Sequence, residues 1–94
     1  SPRFNQKAFV ELHHCLENIF GAESVHCYLA FIPTYPTGMW GFSFCSKGGL
    51  HPVDDLTRDR AAEFAQAQQL QYYNAGIHQA AFCLPTFIQT MLDG

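Results

Sequence analysis

Charge is what this sequence has least of. Asp, Glu, Lys and Arg make up 14% of its 94 residues, against roughly 25% in an ordinary soluble domain. Its five basic residues, Arg3, Lys7, Lys47, Arg58 and Arg60, lie scattered along a chain of net charge −3. No basic stripe exists to neutralise a phosphate backbone, which excludes nucleic acid as a partner. Also missing are an apolar run near the roughly 20 residues that cross a bilayer and a basic leader ahead of a signal-type core. The segment therefore reads as soluble, with no membrane partner. Cysteines paired in loops are absent too. Cys15, Cys27, Cys45 and Cys83 are widely spaced inside apolar periodic stretches, the pattern of buried thiols in a reducing, cytoplasmic compartment.

What is abundant is apolar surface: 48% of the residues are hydrophobic and 15% aromatic. A chain this short is one domain at most and buries about two-thirds of its unfolded surface. So few charges cannot clothe a surface that faces only water, and part of it is expected to lie under another domain or subunit.

The spacing of Phe4, Ala8, Leu12, Leu16, Ile19 and Phe20 predicts an amphipathic helix that Gly21 stops as a left-handed cap. Residues 25–32 read as a strand buried on both faces. Residues 39–45 alternate Trp40, Phe42 and Phe44 with Gly41 and Ser43, a second strand with one bulky face. The Pro- and Gly-rich loop between the two predicts antiparallel pairing. After a loop over 46–56, Thr57 is expected to cap a helix carrying Ala61, Phe64 and Ala65. A break at 70–76 precedes a helix from about Ala75 to Cys83, and Pro85 suits the first turn of a last short helix. The order is helix, two strands, then helices: α/β or α+β, too small to be a doubly wound sheet by itself.

Several clusters invite chemistry and lose it on geometry. His13, His14 and Cys15 point about 100° apart around a helix, and His26 and Cys27 point to opposite faces of a strand, so neither set closes on a metal. Cys and His could form a nucleophile and base, but no oxyanion loop accompanies them. Asp54 and Asp55 sit just before a helix cap, where acidic residues serve solvation and the helix dipole. "KGG" at 47–49 lacks the spacing of a phosphate loop.

Tyr35 and Trp40 resist so plain an explanation. Pro33 and Pro36 pre-set the backbone around them. Aromatic faces attract organic cations and pack on methylene chains. The residues alone therefore point to a slender ligand, partly apolar and cationic.

"IPTYPTGMWGF" at 32–42 and "YYNAGIHQAAFCLPTF" at 72–87 together resemble two motifs, in order, of the spermidine synthases and wider polyamine aminopropyltransferases. The resemblance implies an α/β fold, the C-terminal part of a methyltransferase-like Rossmann domain, with the N-terminal domain and nucleotide-binding half absent. It implies an enzyme that transfers an aminopropyl group from decarboxylated S-adenosylmethionine, a co-substrate and not a cofactor, to putrescine, giving spermidine and methylthioadenosine. It places Tyr35 on the amine and aminopropyl pocket and Trp40 on the same wall. Thr37 and Met39 stand where many members carry Ser and Gln, a mild departure. Asn74 and His78 are left structural roles, capping and packing. No catalytic residue and no metal ligand is carried over, because the family's nucleotide loop, ribose-binding acid and proton-accepting aspartate have no counterpart here. The segment alone is accordingly expected to be inactive, the whole protein a cytoplasmic homo-oligomer, a dimer. The competing reading is a noncatalytic α+β module that self-associates through its apolar face.

Overall fold

The structure, a computed structural model, describes residues 1–3, 5–34 and 38–93. Along the chain run α1 (Gln6–Phe20), a 3-10 turn (Ala22–Ser24), β1 (Val25–Phe31), β2 (Met39–Cys45), α2 (Arg58–Ala67), α3 (Ala75–Ala81) and α4 (Thr86–Asp93).

β1 and β2 form the expected antiparallel hairpin, in a register that sets Val25 opposite Cys45, Tyr28 opposite Phe42 and Phe31 opposite Met39. Ile32 N–H donates to the Gly38 carbonyl at 2.6 Å, and Ser46 N–H to the Ser24 carbonyl at 3.1 Å. Those two bonds fix the phase of the ladder. His26, Tyr28 and Ala30 exchange backbone bonds with Phe44, Phe42 and Trp40, so the N–H and C=O groups of Met39, Gly41, Ser43 and Cys45 point away from β1, towards the outer side of β2. Side chains alternate accordingly. One face carries Val25, Cys27, Leu29, Phe31, Met39 and Gly41; the other carries Tyr28, Ala30, Trp40, Phe42 and Phe44.

Gly41 explains why α1 lies on the first face. A methyl group placed there would come within 2.6 Å of Cε1 of Phe9 and 3.3 Å of Cγ of Pro2, so only a glycine lets the ring and the proline rest on the strand. With Phe9 centring the contact and His13 buried below it, Leu12 and Ile19 fall about 60–80° around the helix. They are 56% and 66% exposed, so the described residues do not cover the whole apolar stripe. β1 is likewise not buried on both faces: Val25 and Cys27 are, but Phe31 is 63% exposed. Burial in β1 thus falls from Val25 and Cys27 towards Phe31.

Other termini follow local chemistry, with differences. Gly21 has φ +90°, but its ψ of 143° carries the chain outward instead of into the left-handed helical well, while its N–H closes α1 on the Glu17 carbonyl at 2.8 Å. Thr57 occupies the cap position of α2 without a side-chain bond. Asn74 does cap α3, its Oδ1 accepting from Ile77 N–H at 2.8 Å. α3 ends at Ala81, two residues short of the expected end, and the Pro85 carbonyl accepts from Ile88 and Gln89 as α4 begins. Ile88, fully buried, anchors α4. Cys15 and Cys83 are exposed, against the expectation of four buried thiols.

Candidate pocket wall at the hairpin corner

The corner between β1 and β2 sits at the C-terminal end of β1. Tyr35, the first site residue expected from sequence, lies outside the described residues. The geometry around it is set on both sides. The Ile32–Gly38 bond closes the loop, and Gly38 has φ +71°, a conformation in which a side chain is strained. Gly38 is also buried under Phe31, for a methyl group on it would approach Cε2 of that ring to 2.8 Å. Trp40, the second expected residue, leaves the corner half-buried on the bulky face, opposite Ala30, whose small side chain leaves room for an indole.

That face continues as an aromatic platform. Tyr28 stacks on Phe42 with centroids 5.3 Å apart, and Phe82 reaches Tyr28 at 5.0 Å and Phe44 at 6.3 Å. An apolar cavity of about 320 Å³ opens between Tyr28, Phe44, Tyr73, Ile77 and Phe82. A second, of about 270 Å³, runs past Leu29, Phe31 and Met39 to Tyr72, Ile77 and Ala80. Sequence reading missed Tyr28 and Phe82 as part of this surface. Their only signal was an aromatic at the same-face position of β1 and another one turn beyond His78.

The second motif holds α3 against the rest. His78 Nε2 lies 2.8 Å from the Pro52 carbonyl, which can only accept, so this nitrogen carries the proton and Nδ1 accepts from the Tyr73 hydroxyl at 2.7 Å. His78 is thus a structural pin between α3 and the 46–57 loop, the role expected for it. Arg58 adds a side-chain bond to Gln79.

Both members of the acidic pair bond within their own loop, Asp55 through its carboxylate and Asp54 through its backbone N–H. The Asp55 carboxylate accepts from His51 N–H, and His51 Nδ1 accepts from the N–H groups of Val53 and Asp54 at 3.1 and 2.9 Å. Neither aspartate is presented to the hairpin corner by these bonds. Burial pushes the Cys27 thiol up to about 11, so at neutral pH it is protonated and not a nucleophile. His26 and His51 meet edge-on at 4.5 Å, and His13 faces Glu17 at 3.7 Å. Among the described residues no three His, Cys, Asp or Glu side chains gather as metal ligands, and no helix is long and apolar enough to cross a membrane. The described wall therefore offers aromatic and apolar surface, on which Tyr28, Phe42, Phe44 and Phe82 meet.

No family model matches the chain. Curated relatives do. A polyamine aminopropyltransferase from Caldicellulosiruptor saccharolyticus is 36% identical over 93 residues, covering 99% of this chain and 31% of its own length. One from Clostridioides difficile is 40% identical over 90 residues, 96% of this chain and 30% of its own. One from Thermotoga petrophila is 42% identical over 65 residues, 69% of this chain and 21% of its own. Among solved structures, spermidine synthase from Thermotoga maritima superposes with a TM-score of 0.88 at 32% identity, over 99% of this chain and 30% of that one. A spermidine synthase in complex with the transition state analogue AdoDATO gives the same score and identity, over 31% of that chain. The chain thus spans about a third or less of the length of these relatives. Matched through nearly all of its residues in both sequence and α/β fold, it belongs to the polyamine aminopropyltransferase family.

Proposed function

We propose that this chain is the C-terminal part of a cytoplasmic spermidine synthase and supplies one wall of its amine and aminopropyl pocket through Tyr35 and Trp40. The observation that carries the reading is the corner at the end of β1, where Gly38 and the Ile32–Gly38 bond deliver Trp40 onto an aromatic face. Crevices at the C-terminal ends of strands are where open α/β sheets bind ligands.

The reaction is displacement at carbon. The lone pair of an unprotonated putrescine nitrogen forms the new N–C bond while the C–S bond of decarboxylated S-adenosylmethionine breaks. Its electron pair returns to sulfur, the sulfonium leaves as neutral methylthioadenosine, and the surplus proton on nitrogen passes to a base. An indole or phenol face favours the cationic end of the amine by ~0.5–2 kcal/mol, and a constrained backbone at Gly38 lowers the entropy lost when the amine binds there. The base and the nucleotide site belong to other parts of the protein. The open side of β2 supports that division: a lone two-stranded hairpin is marginal in water, and the outward groups of Met39, Gly41, Ser43 and Cys45 suit a further strand. The exposed Leu12 and Ile19 suit packing under that larger sheet.

The test is methylthioadenosine release from decarboxylated S-adenosylmethionine and putrescine, run on the full-length protein and on the 94-residue segment checked by intact mass. The full-length protein turns over and the segment gives no product. In the full-length protein, Trp40→Ala costs ~1–2 kcal/mol, about 5–30-fold in kcat/KM for the amine. Product from the isolated segment refutes the assignment of base and nucleotide site to other parts. A folded, stoichiometric oligomer of the segment, beside a full-length protein without turnover, supports the self-associating module instead.

A further inference from the structure

Phe31 is an anomaly on this fold. It ends β1 with a large apolar ring that is 63% exposed, so burial does not account for it. The ring nevertheless lies against Gly38. A methyl group on Gly38 would lie 2.8 Å from its Cε2, 3.3 Å from Cδ2 and 3.6 Å from Cζ, so the ring edge covers the α-carbon of that glycine. Gly38 is the residue through which the corner re-enters the hairpin, at φ +71° and bonded through its carbonyl to Ile32 N–H at 2.6 Å. Phe31 also stands directly opposite Met39 in an open, non-hydrogen-bonded pair, where side chains approach most closely. Two residues on from Gly38 is Trp40.

On the strength of the pocket-wall reading above, we propose that Phe31 is a positioning residue for amine binding: its ring bears on Gly38 and fixes the backbone from which Trp40 is presented. The ring limits the positions Gly38 can take, and a glycine with no such neighbour is the residue freest to move. Removing the ring frees the 38–40 backbone while leaving the chemistry of the wall unchanged. The loss falls on amine affinity, because the aromatic wall holds the acceptor, and spares the chemical step, whose groups lie elsewhere.

The experiment is steady-state kinetics on the full-length protein with Phe31→Ala, Phe31→Leu, Phe31→Tyr and Gly38→Ala, each checked by thermal melting. Phe31→Ala raises KM for putrescine about tenfold, with kcat and KM for decarboxylated S-adenosylmethionine within about twofold. Phe31→Tyr, which keeps the ring edge, restores the unaltered KM, and Phe31→Leu falls between. Gly38→Ala raises the same KM, and the double variant Phe31→Ala with Gly38→Ala is less impaired than the product of the two, since both act through one contact. An unchanged putrescine KM in Phe31→Ala overturns the role, as does an equal loss in Phe31→Tyr or a fall in kcat that tracks lower melting temperatures. If Phe31→Ala does not fold, the Leu and Tyr variants decide by the same comparison. An unaltered enzyme without turnover overturns the function itself and this role with it; an active one with indifferent Phe31 variants overturns only the role.

Discussion

Gly41→Ala tests the packing that orients the hairpin. Two effects oppose each other. Alanine in place of a strand-interior glycine lowers the entropy of the unfolded chain, a gain of ~0.5–1 kcal/mol. Against that, the new methyl group would lie 2.6 Å from Cε1 and 3.2 Å from Cδ1 of Phe9, and 3.3 Å from Cγ of Pro2. The ring is carried by α1, so relief requires the helix to shift or Phe9 to leave its rotamer, at ~1–3 kcal/mol. The clash wins, and Gly41→Ala destabilises the protein by about 1–2 kcal/mol. Phe9→Ala alone costs roughly half of the ~3–5 kcal/mol lost from a fully buried ring, because Phe9 is half-buried. In the double variant the clash has no partner, so the methyl should become neutral or mildly stabilising and the cycle should close with a coupling of about 1–2 kcal/mol. Urea unfolding of the full-length protein and its three variants measures all four corners. A stabilised Gly41→Ala, or strict additivity with Phe9→Ala, would refute the argument that this glycine exists to admit the ring.

Other consequences can be checked on the same protein. In the fold the Cys27 thiol keeps its proton up to about pH 11, whereas in the unfolded chain it ionises near 9.0. Its contribution is therefore complete below pH 9 and is lost as pH rises towards 11, approaching about 2–3 kcal/mol; Cys27→Ser should flatten that part of a stability-versus-pH curve. Alkylation at pH 7.5 followed by peptide mass mapping should mark the exposed Cys15 and Cys83 well before Cys27. Tyr73→Phe leaves His78 Nδ1 without its donor in a half-buried site and should cost ~1–2 kcal/mol in urea unfolding. Asn74→Ala removes the acceptor for Ile77 N–H and should cost ~1 kcal/mol, seen also as faster amide exchange at the start of α3.

What could be read in the sequence was what the chain states locally. The alternation of Trp40, Phe42 and Phe44 with Gly41 and Ser43 gave the exact span of β2, and the Pro- and Gly-rich loop gave its antiparallel partner. Asn74 announced a cap because its side chain reaches only three residues ahead. Contacts that join distant residues were not legible. Nothing in the neighbourhood of Gly41 predicts a ring from position 9, and nothing near Phe31 says that its edge covers Gly38. His78 and Pro52 meet across 26 residues, and the partner is a backbone carbonyl, which has no letter in a sequence. Thr57 erred the other way: its type suits a cap, but its side chain makes no cap bond. Elementary chemistry singled out Tyr35 and Trp40 and reached a slender, cationic, partly apolar ligand, and the resemblance of the first motif added the expectation of an amine and aminopropyl pocket.

The two faces of the hairpin are met by different elements. Alternation gives the first face its Gly41, on which α1 can rest, and the second its aromatics, which α3 meets through Phe82. Neither face is closed over, for apolar cavities lie beside Tyr28 and beside Phe31, and the second reaches the end of β1. There Gly38, Phe31 and the Ile32–Gly38 bond constrain the backbone. On the proposed function, backbone order of this kind at Gly38 suits binding of a flexible diamine, because order already present in the protein need not be created at each turnover. It does not suit proton transfer, which requires a carboxylate within hydrogen-bond reach of the amine, and the Asp55 carboxylate is taken by His51 N–H. On that proposal, geometry and electrostatics are divided between this segment and the parts of the protein that carry the base and the nucleotide.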